Sequence, residues 1–482
     1  MSGPHRTHAG PAATWGELFR GRLGIYTILL NLGIGVFAID IFVIATVMPT
    51  VVADIGGVAY YAWAFMLFIV GTITGAASFT PLTVAVGARV AYAAGGIVYL
   101  AGAAVCGAAP DILVFLVGRT VQGAGAGIAS AGSYALIGTL FEGRLRPRIF
   151  ALTNATWTVA TIAGPFLGGA FAQIGWWRGA FWTLVPVAVT FVAAALWKLP
   201  RDRATPGGGR PGFPYDRLAL LALGVVCVAA AARIAADELR WALVVAGPAL
   251  IWYAFRRDRD AENRLFPRRA LSMRAPVGAA YWIQFLIGGA QNTVYIYMPL
   301  VLQAVYGVAP LFVGAANLAL SLAWSVGAAV VAPLHGGRER LPMAVGPIII
   351  FTAVAGLAYD IASVSLVFVL GCAAWLGFGI GLYTPHTLSK TMELAAKGEE
   401  TVTSSSLQTV RSLGVAFGAA SSALIVNMAG LESVSGADAV ATAVTWVYLF
   451  DLVPLLAALV LMLVFLAQTG RTALVPPTGD TP

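Results

Sequence analysis

Fourteen apolar runs follow one another along this chain, at approximately 24–51, 59–84, 90–109, 112–140, 149–174, 179–198, 218–236, 240–255, 275–304, 310–334, 343–360, 363–389, 402–430 and 445–468. Crossing the hydrocarbon core of a bilayer as a helix takes about 17–25 apolar residues. Each run therefore reads as one span, the eighth being the shortest. Lipid offers no partner to an open backbone, so a spanning apolar run has to be helical. The chain is 59% hydrophobic and 10% charged, with a mean hydropathy of +0.84. A soluble domain carries roughly 25% charged residues. An all-α membrane protein is the fold class that remains. The N-terminal stretch from Met1 to Phe19 has neither a short apolar core nor a small-residue cleavage site, so insertion falls to the spans themselves.

Charge placement sets the orientation. With the N-terminus cytoplasmic, 24 of the 29 Lys and Arg residues fall on cytoplasmic segments, as the positive-inside rule requires. The even span count puts the C-terminus on the same side. The net charge of +8 is accounted for by topology, and no nucleic-acid partner is implied. The long basic stretches 198–217 and 256–274 flank spans 7 and 8. They divide the chain into a tail (1–23), a six-span bundle (24–199), linkers carrying two inserted spans at about 218–236 and 240–255 (200–274), a second six-span bundle (275–468) and a C-terminal tail (469–482).

The two bundles share a sequence pattern. Met48-Pro49 in span 1 and Met298-Pro299 in span 9 stand 250 residues apart, as do GPFLG (164–168) and GVAFG (414–418). GAGAG (123–127) and GFGIG (377–381) stand 254 apart. Small-residue pairs recur wherever membrane helices pack closely, so one match alone is weak. Three in the same order predict duplicated halves, the plan of a rocking secondary transporter with its site between them.

Polar groups inside apolar runs mark candidate chemistry, because a charge at the bilayer centre costs on the order of 2.5–3.5 kcal/mol on insertion scales. Asp40 lies about seventeen residues into span 1, near mid-membrane. It reads either as a buried acid kept for packing or as a proton site. Loss of water favours the neutral acid and a nearby guanidinium favours the carboxylate, so a change in either binds or releases a proton. Arg119 enters span 4 at a comparable depth, with Gln122 one turn on; snorkelling to the outer interface is the alternative. Arg411, about nine residues into span 13 with Gln408 one turn before it, reads either as a cation facing a cavity or as the partner of an acid the sequence does not identify. Gly123, Gly127, Gly164, Pro165, Gly168, Gly414 and Gly418 carry no reactive group and point to close packing and bending. Cys106, Cys227 and Cys372 read as small space-fillers. His5, His8, His335 and His386 lack metal-ligand spacing, and no Walker-type phosphate loop is present.

These segments resemble the fourteen-span drug:proton antiporter branch of the major facilitator superfamily. AIDIFVIATVMPTVVADIGG (38–57) resembles its first-span motif, GRTVQGAGAG (118–127) its Arg-x-x-Gln-Gly-x-Gly motif, AGPFLGG (163–169) its span-5 antiporter motif and SLQTVRSLGVAFGAA (406–420) its span-13 segment. The resemblance implies two six-helix bundles plus a two-helix insert, with a proton as coupling ion, no cofactor and no metal. It implies no catalytic residues, a multi-pass place in the cytoplasmic membrane, lipid and a small hydrophobic or cationic substrate as partners, and a monomer. It favours pairing of Arg119 with Asp40 for proton coupling and a cavity-facing Arg411. The cavity would draw on Asn31, Gln122, Asn154, Trp157, Gln284, Gln291, Asn292, Tyr295, Asn317 and Tyr383. The family's loop motif between spans 2 and 3 is matched here by TPLTVAVGAR (80–89), in which Val84 and Ala85 stand where that motif usually has Asp and Arg, so any latch there falls to others such as Glu142 with Arg144 to Arg148. Export of a lipid, siderophore or other metabolite, or import, stays open. A membrane-embedded enzyme would need an interfacial cluster of acids and histidines, and the sequence offers none.

Overall fold

The computed structural model describes residues 14–142, 145–201, 214–234, 236–261, 263–334, 337–359, 361, 363–396, 399–430 and 436–472. His5, His8, His335 and Arg144, and most of both tails, lie outside the described residues. The helices are α1 (Gly21–Ile55), α2 (Trp63–Val86), α3 (Ala88–Ala108), α4 (Ile112–Leu140), α5 (Arg146–Gln173), α6 (Arg178–Lys198), α7 (Tyr215–Ala231), α8 (Asp237–Arg259), α9 (Pro276–Ala304), α10 (Pro310–Val331), α11 (Arg340–Tyr359), α12 (Leu366–Glu393), α13 (Glu400–Met428) and α14 (Ala437–Thr472). No strand occurs among the described residues. Among the described residues, eleven helices are long and apolar enough to cross a membrane; α5, α7 and α8 are shorter or more polar.

Several helices outrun their apolar runs. Span 8 was expected at 240–255, whereas α8 covers Asp237–Arg259, with Asp237 and Glu238 in its first turn and Arg256, Arg257 and Arg259 in its last. Those signs suit the helix dipole at both ends. The stretch 80–89, read as a loop, is helical through Val86. The whole connection is Gly87, whose φ of 83° an L side chain rarely adopts. Val84 and Ala85 thus sit in the last turn of α2.

Packing repeats between the halves. In the first, α4 lies between α2 and α3, α3 packs on α6 and α1 on α5; in the second, α12 lies between α10 and α11, α11 packs on α14 and α9 on α13. Contacts across the halves are paired likewise, α5 on α10 and α13 on α2. Glycine permits the tightest of these approaches. A Cβ at Gly123 or Gly127 would strike the α2 backbone at Phe68 or Thr72, and one at Gly377 or Gly381 would strike the α10 backbone at Leu320 or Trp324. Gly164 and Gly168 press on α1 at Phe42 and Val43, and Gly414 and Gly418 on α9 at Phe285 and Gly289. Pro165 lies inside α5.

The α7–α8 hairpin packs on α13 and α2. Its base is tied by Asp258, which is buried and accepts from Arg217 Nη1 (2.5 Å) and from the backbone N–H groups of Leu265 (2.8 Å) and Phe266 (2.8 Å). Arg217 also donates to the Asn263 side chain at 2.6 Å.

The start of α1 and the end of α14 lie at one end of the bundle. Contacts joining the halves gather at the far end. There Gln303 Nε2 donates to Thr46 O (3.4 Å) and Asn427 Nδ2 to Ala59 O (3.1 Å). Tyr61 stacks on Tyr297 with ring centroids 5.7 Å apart, and Gly169 abuts Pro310 and Leu311.

Candidate functional site

Glycine contacts bring two helices, α3 and α4, onto one point of α1. A Cβ on Gly102 of α3 would overlap Gln122 of α4, and one on Gly125 would overlap the backbone of Tyr99. With side chains that small, α3 and α4 touch, and Tyr99, Arg119 and Gln122 converge on Asp40. Arg119 Nη1 donates to Asp40 Oδ2 at 2.7 Å, Gln122 Nε2 to Asp40 Oδ1 at 2.7 Å and Tyr99 Oη to Oδ1 at 3.3 Å. Asp40 is 0% exposed and Arg119 1%.

The guanidinium is satisfied on several sides. Its Nη1 also reaches Gln122 Oε1 (2.6 Å), its Nε donates to Ala64 O (3.3 Å), and its Cζ lies 4.1 Å from the centre of the Phe68 ring. Two charges out of water are tolerated only with such complete pairing, and removing either partner strands the other. A charge-assisted hydrogen bond whose members sit on different helices is also a bistable contact, made or broken as those helices move. Chemically, the arrangement can exchange a proton for a guanidinium partner. Gln122, expected in the cavity, has its amide consumed by this cluster.

The remaining candidates fall into two groups. Asn31 (α1) donates to Thr27 O at 2.8 Å and accepts from Thr156 of α5 at 3.0 Å, while Trp157 packs edge-on to Phe37 at 5.6 Å. The side chain of Asn154 lies outside the described residues. In the second half, Tyr383 donates to Gln284 at 3.2 Å and both are buried. Gln291 Oε1 and Asn317 Nδ2 are buried without a hydrogen-bond partner. Tyr295 crosses to Phe42 of α1 with ring centroids at 6.4 Å. Asn292 and Arg411 are half-buried, and Arg411 Cζ stands 5.6 Å from the Trp324 ring centre. His386 bonds Val331 O at 2.8 Å toward the end that carries the termini. Arg146 caps Phe141 O (3.1 Å) and Gly138 O (2.6 Å) beside Glu142.

Three residues escaped the sequence reading. Tyr99 gave no signal, because a tyrosine in a helix of small residues looks like any interface aromatic. Asp451, in the middle of α14, is buried and hydrogen-bonded to Thr293 of α9. The cost that flagged Asp40 flags Asp451 equally. Asp258 was hidden in a charge-rich linker.

Two repeated six-helix halves, the first of them holding a buried acid–guanidinium pair, make up the fold of a membrane transporter. The chain belongs to the Major Facilitator Superfamily, whose family model matches residues 30–419. It is 28% identical over 436 residues to a probable multidrug-efflux transporter of Mycobacterium tuberculosis (strain ATCC 25618 / H37Rv), covering 87% of this chain and 91% of that protein. It is 24% identical over 411 residues to the multidrug transporter protein MdtP of Bacillus subtilis (strain 168), covering 81% and 73%. Among solved structures it is similar to the inward-open xylose transporter XylE from E. coli (TM-score 0.61, 14% identity, 96% and 98% covered). It is also similar to a POT family transporter in complex with a thioalcohol-conjugated peptide (TM-score 0.67, 13% identity, 93% and 96% covered). At these identities the structures speak for the fold alone.

Proposed function

We propose that the protein is a proton-coupled exporter of hydrophobic or cationic small molecules in the cytoplasmic membrane, working by alternating access with both termini cytoplasmic. The observation that carries this reading is the sealed Asp40–Arg119–Gln122–Tyr99 cluster, whose acid and guanidinium lie on separate helices, 79 positions apart in sequence. The multidrug-efflux names of the relatives in M. tuberculosis and B. subtilis support the substrate class. The placement of the basic segments supports the orientation.

In this cycle the conformation described is closed at the far, external end, where Tyr61 meets Tyr297 and Gln303 meets Thr46. Here Arg119 neutralises the Asp40 carboxylate, and the proton has left. As the far end opens, α1 shifts against α4 within the first half, the pair loosens, and the acid in a dry site takes up a proton. Substrate would occupy the space between the halves near Trp157, Tyr295 and Arg411. Here Arg411 discriminates by charge and the aromatics hold flat apolar or cationic rings.

The test is transport of a panel of fluorescent cationic and neutral dyes in reconstituted vesicles with an imposed proton gradient. The reading expects uphill movement that collapses when a protonophore dissipates the gradient. Movement that ignores the gradient for every dye contradicts proton coupling.

A further inference from the structure

The second intramembrane acid has a geometry opposite to the first. Asp40 faces three donors, one of them a cation. Asp451 meets the hydroxyl of Thr293, and that hydroxyl also lies 2.7 Å from the carbonyl of Ala290. A hydroxyl has one proton to give. The Ala290 carbonyl can only accept, and a Thr293 hydroxyl that gives its proton there is left to accept from Asp451. Both contacts are hydrogen bonds at once only if Asp451 is the donor, a neutral carboxylic acid.

The surroundings agree with a neutral acid. Asp451 is 4% exposed and forms no ion pair among the described residues. Its helix packs on α9, α11 and α13. Facing it are Thr293 and, one turn on, Tyr297 of α9, with Tyr448 one turn earlier on α14. The ionisable groups of α11, Arg340 and Tyr359, sit at that helix's two ends, and Arg411 of α13 lies against Trp324 of α10. Tyr448, Tyr297 and, across the halves, Tyr61 belong to the same buried cluster. The hydroxyls of Tyr448 and Tyr61 are buried with no hydrogen-bond partner. A nest of phenols thus runs from Asp451 to the Tyr61–Tyr297 stack, one of the contacts that close the far end.

We propose that Asp451 is a second intramembrane proton-binding site, protonated while the far end is closed and open to exchange when the halves part there. The proposal rests on reading the chain as an alternating-access transporter. Parting of Tyr61 from Tyr297 admits water to the unpartnered phenols. The Asp451 O–H then breaks toward water, leaving a carboxylate that the entering water and the Tyr448 hydroxyl solvate. On reclosure a hydronium ion at that end returns a proton to the carboxylate, and the water so formed leaves with the rest. The two acids therefore work in antiphase, Asp451 loaded while Asp40 is discharged.

Infrared difference spectroscopy of the purified protein in lipid nanodiscs tests this without any substrate. The expected result is a protonated-carboxyl C=O band that Asp451→Asn removes and Asp40→Asn keeps. Thr293→Val should shift that band, because the hydroxyl acceptor is gone, and it serves for the assignment if Asp451→Asn fails to fold. In D2O the band should shift to its deuterated position within the time of far-end opening. Exchange should slow at least about tenfold when an Asn427→Cys/Ala59→Cys pair bridged by a short bifunctional thiol reagent locks that end. Absence of such a band, or equal exchange in locked and unlocked protein, overturns the proposal. A protein that transports dyes by a proton gradient yet lacks the band refutes this site alone. One that shows the band but couples to nothing refutes only the export reading.

Discussion

Asp40 and Arg119 are each tolerable only because the other is present. Truncating one leaves a buried unpaired charge, at a cost of about 3–5 kcal/mol, whereas removing both removes the problem with its solution. We expect Asp40→Ala and Arg119→Ala each to lower the melting temperature of the detergent-solubilised protein clearly. The double variant should be less destabilised than the sum, by roughly 1–3 kcal/mol of coupling. Additive losses would mean the contact is energetically idle. Arg119→Lys should recover only part of the stability, since an ammonium lacks the planar fork that reaches Asp40, Gln122 and Ala64 O together. At this scale the sequence was informative where the residue type was expensive. A carboxylate or guanidinium among Val and Ile announces itself, and so Asp40, Arg119 and, by depth and spacing, Gln122 were legible. Thr293 and Tyr99 were not, because hydroxyl and phenol cost little in a membrane helix. Their pairings, across 158 and 59 positions, follow no motif.

Among the helices, small residues decide which faces meet. Gly377 lies against the α10 backbone at Leu320, while Gly371, two turns earlier on α12, faces open space. Gly377→Val should therefore force α10 and α12 apart and cost about 1–3 kcal/mol or more. Gly371→Ala should be neutral or stabilising by up to about 1 kcal/mol. Melting curves of the two variants compare them directly, and similar behaviour would contradict the packing described. The hairpin makes a second case. Asp258→Ala removes the acceptor of Arg217 and of two backbone N–H groups, so the α8–α9 connection should become the first site of limited proteolysis. The repeated glycine motifs made the duplicated halves readable from their offsets of 250 and 254 positions. Helix ends were less readable. Hydropathy stops at the last apolar residue, whereas backbone hydrogen bonding carries α1 on to Ile55 and α2 to Val86. That continuation turned an expected loop at 80–89 into a single glycine. Val84→Asp, now a change in the last turn of α2, should alter the transport rate without unfolding the protein, and an unchanged rate under all gradients would remove any gating role from this turn.

For the whole molecule, the paired contacts α5–α10 and α2–α13 form the two seams along which the halves meet, and the second is flanked by the α7–α8 hairpin. Which end stands closed was not legible in the sequence. It depends on side chains of both halves, such as Tyr61 with Tyr297 and Gln303 with Thr46, that no local pattern joins. Asn427 Nδ2 lies 3.1 Å from Ala59 O, so an Asn427→Cys/Ala59→Cys pair is placed for a short, reducible bifunctional thiol reagent. Cross-linking should stop transport and reduction restore it, after replacement of Cys106, Cys227 and Cys372. Full transport in the cross-linked protein would show that the far end need not open.

The central claim is that Asp40 carries the coupling proton, and the most direct measurement compares Asp40→Asn with the unaltered protein in vesicles under an imposed proton gradient. Asn has the shape of the protonated acid and cannot release a proton. The account predicts that this variant folds, exchanges labelled for unlabelled substrate across the membrane, and fails to accumulate substrate against its gradient at any pH. Uphill accumulation by Asp40→Asn at the native rate and with the native pH dependence would contradict the account and reduce Asp40 to a packing residue.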